Sequence, residues 1–208
     1  MLYSFLLPIG RFITWFFGGL RIYNRHLIPK DGPCMLVGNH ISAWDPILVA
    51  CASKDRHLNF MGKAELFRNP LLRWFFLTLG GFPIKRGETD VGAIKTALTR
   101  LKAGCVMIIF PEGTRYKDVS EMQEARAGAA MLTLRSNAAL VPLAIFGRFR
   151  LFRHTHLVIG QPIDILPYQS VKDGGQVDGK ADIHGLTERI LQEIHALQQA
   201  GIPKKIEN

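Results

Sequence analysis

The sequence has little cysteine, and its cysteines do not have the spacing of metal ligands. Its 208 residues contain three cysteines, Cys34, Cys51 and Cys105, an odd number with no CxxC pair. A disulfide framework and a zinc site are therefore not indicated, and we expect no bound metal. Cys34 and Cys105 fall in predicted buried strands, where a reactive thiolate is not stabilised. We predict that the cysteines serve packing and that the protein works in a reducing compartment.

Acidic residues are also scarce relative to basic ones. There are 26 Lys and Arg against 17 Asp and Glu, a formal net charge of +9. This excess predicts an anionic partner, which is nucleic acid, a membrane surface, or a phosphorylated or acidic substrate. A hydrophobic content of 48% excludes intrinsic disorder, and the length allows one large domain or at most two small ones.

Residues 1–30 lack an uninterrupted apolar run long enough to span a bilayer, although the segment is strongly apolar. A spanning helix needs about 20 mostly apolar residues, and Arg11 interrupts a stretch barely that long. The features of a signal peptide are missing as well. Apolar residues recur at steps of three and four, which predicts an amphipathic helix. These residues are Leu2, Phe5, Leu6, Ile9, Phe12, Ile13, Phe16, Phe17 and Leu20.

We predict that residues 1–30 form a membrane-interacting segment that lies in the plane of the interface. Trp15 and Tyr23 would then lie near the headgroups, and Arg11, Arg21 and Arg25 would face anionic lipid. The protein would be a peripheral, monotopic one on the cytoplasmic face of the cell membrane. The alternative is a helix that covers the core of its own domain.

From residue 33 onward, short apolar runs alternate with helical patterns, which is typical of an α/β domain. We predict strands at 34–38, 58–61, 82–85, 105–110, 139–146 and 156–159. Helices are predicted at 47–52, 71–79, 89–103, 124–136 and 181–200. The fully apolar strand at 105–110 favours a mostly parallel or mixed central sheet flanked by helices. Residues 31–208 are thus predicted to be one domain that follows the N-terminal segment.

The first polar cluster, at residues 39–45, follows the strand at 34–38, where open α/β sheets place their ligands. His40 suits proton abstraction near neutral pH because imidazole has an ordinary pKa of about 6.5. Asp45 is placed to orient the imidazole and to stabilise its protonated form. The structural alternatives are a hydrogen-bonded loop histidine and an Asp45 that only caps the helix beginning at Pro46.

Two further clusters follow predicted strands. In the first, Lys85 and Arg86 end a strand beside a glycine, and Arg86 suits bidentate phosphate binding. The second is FPEGTR at 110–115, which supplies Glu112, Gly113 and Arg115. A solvated sheet edge and an ion pair that structures a turn are the respective alternatives.

Taken in order, these motifs resemble the glycerolipid acyltransferase family, whose bacterial members acylate 1-acylglycerol-3-phosphate. The motifs are HxxxxD at 40–45, GxxxIxR at 80–86 and FPEGTR at 110–115. The proline-containing strand at 141–145 is similar to the fourth block of the family, and 60–67 is similar to its lysine-containing stretch. The resemblance covers residues 33–160. One departure is ARAG at 125–128, where the family often has a Lys-Lys-Gly step.

The resemblance implies a histidine–aspartate acyltransferase that needs no metal or redox cofactor. It implies that His40 is the general base on the 2-hydroxyl of the acceptor and that Asp45 is its partner. The acyl donor would be a thioester of acyl carrier protein or coenzyme A, and the product phosphatidate. We expect direct attack, because no Ser or Cys lies in a nucleophile-elbow pattern. Ser42, inside the first motif, is the one residue that challenges this expectation.

The resemblance also assigns the substrate-binding residues. Lys63, Arg86 and Arg115 are candidates for the substrate phosphate, and Glu112 and Gly113 belong to the glycerol site. The cations have a physical purpose, because an unpaired phosphate in an apolar pocket is costly to desolvate. The implied partners are a membrane lipid acceptor, the thioester donor and an anionic membrane surface.

The sequence is compatible with two other functions. The same chemistry could act on another lysophospholipid or alcohol acceptor, because the family tolerates several. A basic nucleic-acid-binding module is suggested by the net charge and by the alternating cations and aromatics at 146–154. The motifs disfavour it, because they give the cations other roles, and we expect no nucleic-acid partner.

Overall fold

A computed structural model describes residues 8, 12, 19–53, 56–85, 90–111, 119–150, 153–169 and 181–204, with the side chains of 119–126 left out. Within these residues, seven strands form one mixed sheet. The strands are β1 (Leu20–Tyr23), β2 (Cys34–Gly38), β3 (Leu58–Lys63), β4 (Gly81–Ile84), β5 (Val106–Ile109), β6 (Ala139–Phe146) and β7 (Thr155–Ile159).

The strand order places the functional edge of the sheet. The order is β1-β7-β6-β2-β5-β3-β4, and every neighbouring pair is parallel except β6 and β7. Strands β2 to β6 therefore end at one edge, which we call the carboxyl edge. Strands β7 and β1 run the other way and begin there. Open sheets of this kind bind their ligands at the carboxyl edge.

Five helices of the described residues cover the two faces of the sheet. They are α1 (Asp45–Ala52), α2 (Pro70–Thr78), α3 (Val91–Lys102), α4 (Val119–Ser136) and α5 (Ile183–Ala200). Successive side chains of a strand point to opposite faces. Accordingly, Met35 and Val37 pack with α3, α4 and α5, whereas Cys34 and Leu36 pack with α1 and α2. The predicted fold class, one α/β domain with a mixed sheet between helices, is confirmed.

Helix α3 begins later than the predicted residue 89. Its N-cap is Asp90, whose side chain accepts hydrogen bonds from the backbone N–H of Lys85 at 3.0 Å and of Ala93 at 2.9 Å. These two bonds lower the pKa of the Asp90 carboxyl, because they stabilise its charged form. Val91 is exposed, and the buried residues of the helix are Ala93, Ala97 and Leu101.

The predicted N-terminal segment includes residues that form a strand and not a helix. Residues 20–23 form β1, which pairs with β7 in parallel, so this part of the predicted segment belongs to the sheet. Tyr23 is 4% exposed, and its hydroxyl lies 3.0 Å from His156 Nδ1, so it does not lie near headgroups. Arg25 does not face lipid either, because it donates to the carbonyls of Ala52 and Cys51 at the end of α1. Arg21 is exposed.

Most of the predicted membrane helix, including Arg11 and Trp15, lies outside the described residues. Among the residues that are described, no helix is long and apolar enough to cross a membrane. The prediction for residues 1–18 therefore stays a prediction.

The prediction of buried cysteines is confirmed for Cys34 and Cys51 and is wrong for Cys105, which precedes its strand. Cys34 and Cys51 are buried, and Cys105 is half-buried just before β5. Burial raises the pKa of the Cys34 thiol to about 12, because the low-dielectric interior disfavours its thiolate. This thiol is therefore protonated near neutral pH and unsuited to nucleophilic attack.

Candidate active site

The first motif follows Gly38 of β2, which packs directly against Leu143 of β6. A Cβ atom at Gly38 would overlap the Leu143 side chain and would come within 2.9 Å of the Leu143 carbonyl oxygen. A residue without a side chain is thus required at the end of β2. The chain then leaves the sheet at the carboxyl edge as the loop 39–44, which leads into α1.

Asn39 fixes the start of this loop. Its side-chain amide donates to the Ile145 carbonyl at 2.9 Å, and its side-chain oxygen accepts from the Ile145 N–H at 2.7 Å. The side chain is buried, at 6% exposure, so both bonds form away from solvent. No role was predicted for Asn39 from the sequence. The available signal was an amide directly after a buried apolar strand, since such a group must find partners inside the protein.

His40 and Asp45 are in direct contact. His40 Nδ1 lies 2.7 Å from Asp45 Oδ2, and the same oxygen accepts from the backbone N–H groups of Ile41 and Ser42, each at 2.7 Å. The Asp45 side chain is 1% exposed and that of His40 16%. The four-residue loop between them thus wraps around one carboxylate oxygen.

The alternative reading of Asp45 as a helix cap is wrong. The N-cap of α1 is Trp44, which makes no side-chain capping bond, and Asp45 is the first helical residue. Its carboxylate points back to the preceding loop instead of forward to the free N–H groups of the helix. The carboxylate therefore holds the loop and the imidazole together.

This geometry sets the chemistry of the imidazole. An ionised carboxylate only accepts hydrogen bonds, so Nδ1 carries the proton and Nε2 is the basic nitrogen of the neutral ring. When Nε2 takes up a proton, the buried negative charge of Asp45 lies next to the new positive charge and stabilises it. The pair can thus remove a proton from a bound hydroxyl group.

The third motif meets the first through its aromatic residue. Phe110, which follows β5, stacks on the His40 ring with the ring centroids 4.4 Å apart and the planes 13° from parallel. Phe110 and the next residue, Pro111, are buried. The stack restricts the imidazole from the side of β5, a role of Phe110 that the motif alone did not predict.

The remaining predicted site residues are only partly placed. Lys63 is the last residue of β3, in register with Ile84 of β4, and is half-buried at the carboxyl edge. It lies two strands from β2, a lateral distance of about 10 Å. Arg86, Glu112, Gly113 and Arg115 lie outside the described residues.

Trp44 lies on the outer side of the loop. It is 46% exposed, and its ring lies 5.5 Å from that of Phe149.

Across the described stretches, no group of three or more His, Cys, Asp or Glu side chains is placed to hold a metal ion.

An α/β fold with a His40–Asp45 pair at the carboxyl edge of its sheet is typical of α/β enzymes that bind a ligand at this edge. A comparison with known families gives the particular one. The chain belongs to the Acyltransferase family, whose family model matches residues 19–146.

Two curated relatives align with almost the whole chain. One is the 1-acyl-sn-glycerol-3-phosphate acyltransferase of Streptococcus pneumoniae, 29% identical over 207 residues, covering 96% of this chain and 74% of that protein. The other is the 1-acyl-sn-glycerol-3-phosphate acyltransferase of Bacillus subtilis, 29% identical over 202 residues, covering 95% and 97%.

A solved structure shares the fold. The 1-acyl-sn-glycerophosphate acyltransferase PlsC from Thermotoga maritima superimposes with a TM-score of 0.67 and is 22% identical. The match covers 98% of this chain and 83% of that one.

Proposed function

We propose that this protein transfers a fatty acyl chain from an acyl thioester to the 2-hydroxyl of 1-acylglycerol-3-phosphate and so forms phosphatidate. The observation that carries the proposal is the His40–Asp45 contact of 2.7 Å, with the carboxylate buried and the imidazole partly exposed at the carboxyl edge. Two relatives named for this reaction align with almost the whole chain, which supports the choice of acceptor.

The reaction needs one proton acceptor that later returns the proton. His40 Nε2 takes the proton of the 2-hydroxyl as its oxygen attacks the thioester carbonyl carbon. The tetrahedral intermediate then expels the thiolate, the carbon–sulfur bond breaks, and the thiolate receives the proton from the imidazolium. Asp45 stays ionised throughout and stabilises the imidazolium. The acyl group thus passes directly from donor to acceptor.

The phosphate of the acceptor requires positive charge near the carboxyl edge. Lys63 is at that edge, and we propose that it binds the phosphate together with Arg86 and Arg115. Two arginines suit this role because a guanidinium binds phosphate oxygens in a bidentate manner. Glu112 and Gly113 are proposed to contact the glycerol.

The donor and the location follow from the same chemistry. The donor is proposed to be a thioester of acyl carrier protein or coenzyme A, both of which are acidic and suit a chain of net charge +9. Residues 1–18 are proposed to hold the enzyme on the membrane surface, where its lipid acceptor resides.

Replacing Arg115 with alanine tests the phosphate site. One acyl thioester is assayed with lysophosphatidate and with the matching monoacylglycerol, which has the same acyl chain and free hydroxyls but no phosphate. We expect Arg115→Ala to lower kcat/KM for lysophosphatidate about 10- to 100-fold, since a charge-assisted bond contributes about 1.5–3 kcal/mol. The rate with monoacylglycerol should change little.

Arg135→Ala is the matched control, because Arg135 is an exposed arginine near the end of α4. It should leave both rates unchanged. An equal loss on both acceptors in Arg115→Ala would remove the proposed phosphate role. A wild-type protein that acylates neither acceptor would refute the proposed function.

A further inference from the structure

Helix α2 (Pro70–Thr78) differs from α1, α3 and α5, which all bury residues in the core. No residue of α2 is buried. Instead, its large apolar side chains are open to solvent: Leu71 is 72% exposed, Trp74 53% and Leu77 43%. The domain therefore leaves a large apolar surface uncovered on this helix, and such a surface marks an interaction site.

Three of the exposed apolar side chains of α2 form one continuous ridge. Leu71, Trp74 and Leu77 follow at steps of three residues, and residues so spaced are neighbours on a helix surface. We call these three the α2 ridge. The inner side of the helix is fixed by Phe76, whose ring lies 6.2 Å from Phe60 and 5.9 Å from Phe67. Since Phe76 holds α2 against the domain, the ridge stays directed outward.

The charges around the ridge are basic. Residues 63–85 contain four bases, Lys63, Arg68, Arg73 and Lys85, and one acid, Glu65. Arg68 and Arg73 are exposed beside the ridge. A tryptophan with leucines and flanking arginines is the composition of a helix that lies on an anionic membrane surface.

The position of α2 relates the ridge to the active site. Strand β3 ends at Lys63 on the carboxyl edge, and α2 begins at Pro70 after a short turn. The N-cap of α2 is Asn69, whose side chain accepts a hydrogen bond from the Leu71 N–H at 2.9 Å. At the other end of the same edge, β1 begins at Leu20, where residues 1–18 join the domain. Five inter-strand steps, about 24 Å, separate the two places, and His40 lies between them.

We propose that the α2 ridge docks on an anionic lipid bilayer and is a second membrane contact besides residues 1–18. The two contacts flank the active site and turn the carboxyl edge toward the membrane that holds the acceptor. The choice of a bilayer rests in part on the proposed function, since its acceptor is a membrane lipid. A second copy of the chain fits the surface less well, because it would bring Arg68 and Arg73 against like charges.

Vesicle binding of the full chain tests the proposal. The probe is a vesicle of equal amounts of phosphatidylcholine and phosphatidylglycerol, and binding is measured by co-flotation. The combined change Leu71→Ser, Trp74→Ser and Leu77→Ser is expected to weaken binding about 10- to 100-fold. Leu71→Ser alone should weaken it several-fold. Leu166→Ser is the matched control, because Leu166 is 66% exposed and follows β7, which ends at the opposite edge. It should bind as the wild type does.

A second measurement does not depend on removing the ridge. In a variant with Trp15→Phe and Trp44→Phe, the emission of Trp74 is followed as vesicles with brominated acyl chains are added. Quenching places Trp74 in the bilayer, as we expect. Unchanged vesicle affinity of the triple variant, or absence of quenching, overturns the proposal. A wild-type dimer that the triple variant converts to a monomer overturns it as well, because the ridge is then an interface between copies.

Activity separates this proposal from the proposed function. The triple variant should lose turnover of lysophosphatidate embedded in vesicles and keep turnover of a short-chain lysophosphatidate that stays monomeric in solution. If the folded triple variant loses turnover of both acceptors, the ridge is needed for catalysis itself, and this result contradicts membrane docking. A wild-type protein that is inactive on both acceptors refutes the proposed function, whereas the vesicle-binding result still decides the role of the ridge.

Discussion

His40→Ala should reduce acyl transfer by at least about 10²- to 10⁴-fold, the usual contribution of a positioned general base. The physical reason is that, within the described residues, no second histidine is held by a buried carboxylate at this edge of the sheet. The loss should fall on kcat with little change in KM, because the imidazole acts on the proton in transit rather than on the bound lipid. Steady-state assays with one thioester and lysophosphatidate check this.

Two controls make the His40 result specific. The fold should persist, because the N–H groups of Ile41 and Ser42 still bind the Asp45 carboxylate. We expect a loss of about 2–4 kcal/mol in the free energy of unfolding, because the change removes both the stack on Phe110 and the hydrogen bond to Asp45. His184→Ala, which removes an exposed histidine of α5, should leave turnover unchanged. Near-normal turnover of His40→Ala would contradict the general-base assignment.

Asp45→Asn is expected to lower acyl transfer about as much as His40→Ala does, for a different physical reason. The backbone N–H groups of Ile41 and Ser42 require an oxygen at the Oδ2 position, so the asparagine carbonyl should take that place. His40 would keep its orientation, but a neutral amide does not stabilise the imidazolium as a carboxylate does. We expect kcat to fall roughly 10²- to 10⁴-fold, a range whose upper end is the effect of the same substitution in a hydrolase triad.

The same substitution should also affect stability. The new NH₂ group would lie at the buried Oδ1 position, which has no hydrogen-bond partner among the described residues. Such a group costs about 1–3 kcal/mol, and chemical denaturation measures this loss. Asp182→Asn is the control, because it changes an exposed helix-capping aspartate of α5 and should leave kcat unaffected. Wild-type turnover in Asp45→Asn would show that the charge of Asp45 is not used.

The local patterns predicted the central part of the fold. Apolar runs such as Cys34–Gly38 and Ala139–Phe146 are strands with the predicted bounds, because strands buried on both faces are apolar throughout. Strand β1 was missed because it is only four residues long and its first residue, Leu20, continues the apolar steps of the preceding segment. Only its pairing with β7, about 135 residues later in the chain, makes it a strand, and such distant pairing is not visible in local periodicity.

The candidate site was predictable in its residue types but not in its contacts. The spacing of His40 and Asp45 does not align them on one helix, and the loop that folds them together is held by Asp45 itself. The clamp between Asn39 and Ile145 joins positions 106 residues apart, which no local pattern reveals. The arginines were harder to predict, since Arg25 holds the end of α1 rather than a lipid.

Direct transfer of the acyl group, with His40 as the base, is the central claim. It is tested most directly by intact-mass spectrometry of the purified protein mixed with the acyl thioester alone and then with lysophosphatidate added. We predict no acylated protein at any time and phosphatidate only after the acceptor is added. Ser42 lies inside the first motif, with its N–H bound to Asp45, so it is the residue to inspect. Acylated protein that forms without the acceptor and disappears when lysophosphatidate is added would contradict the account.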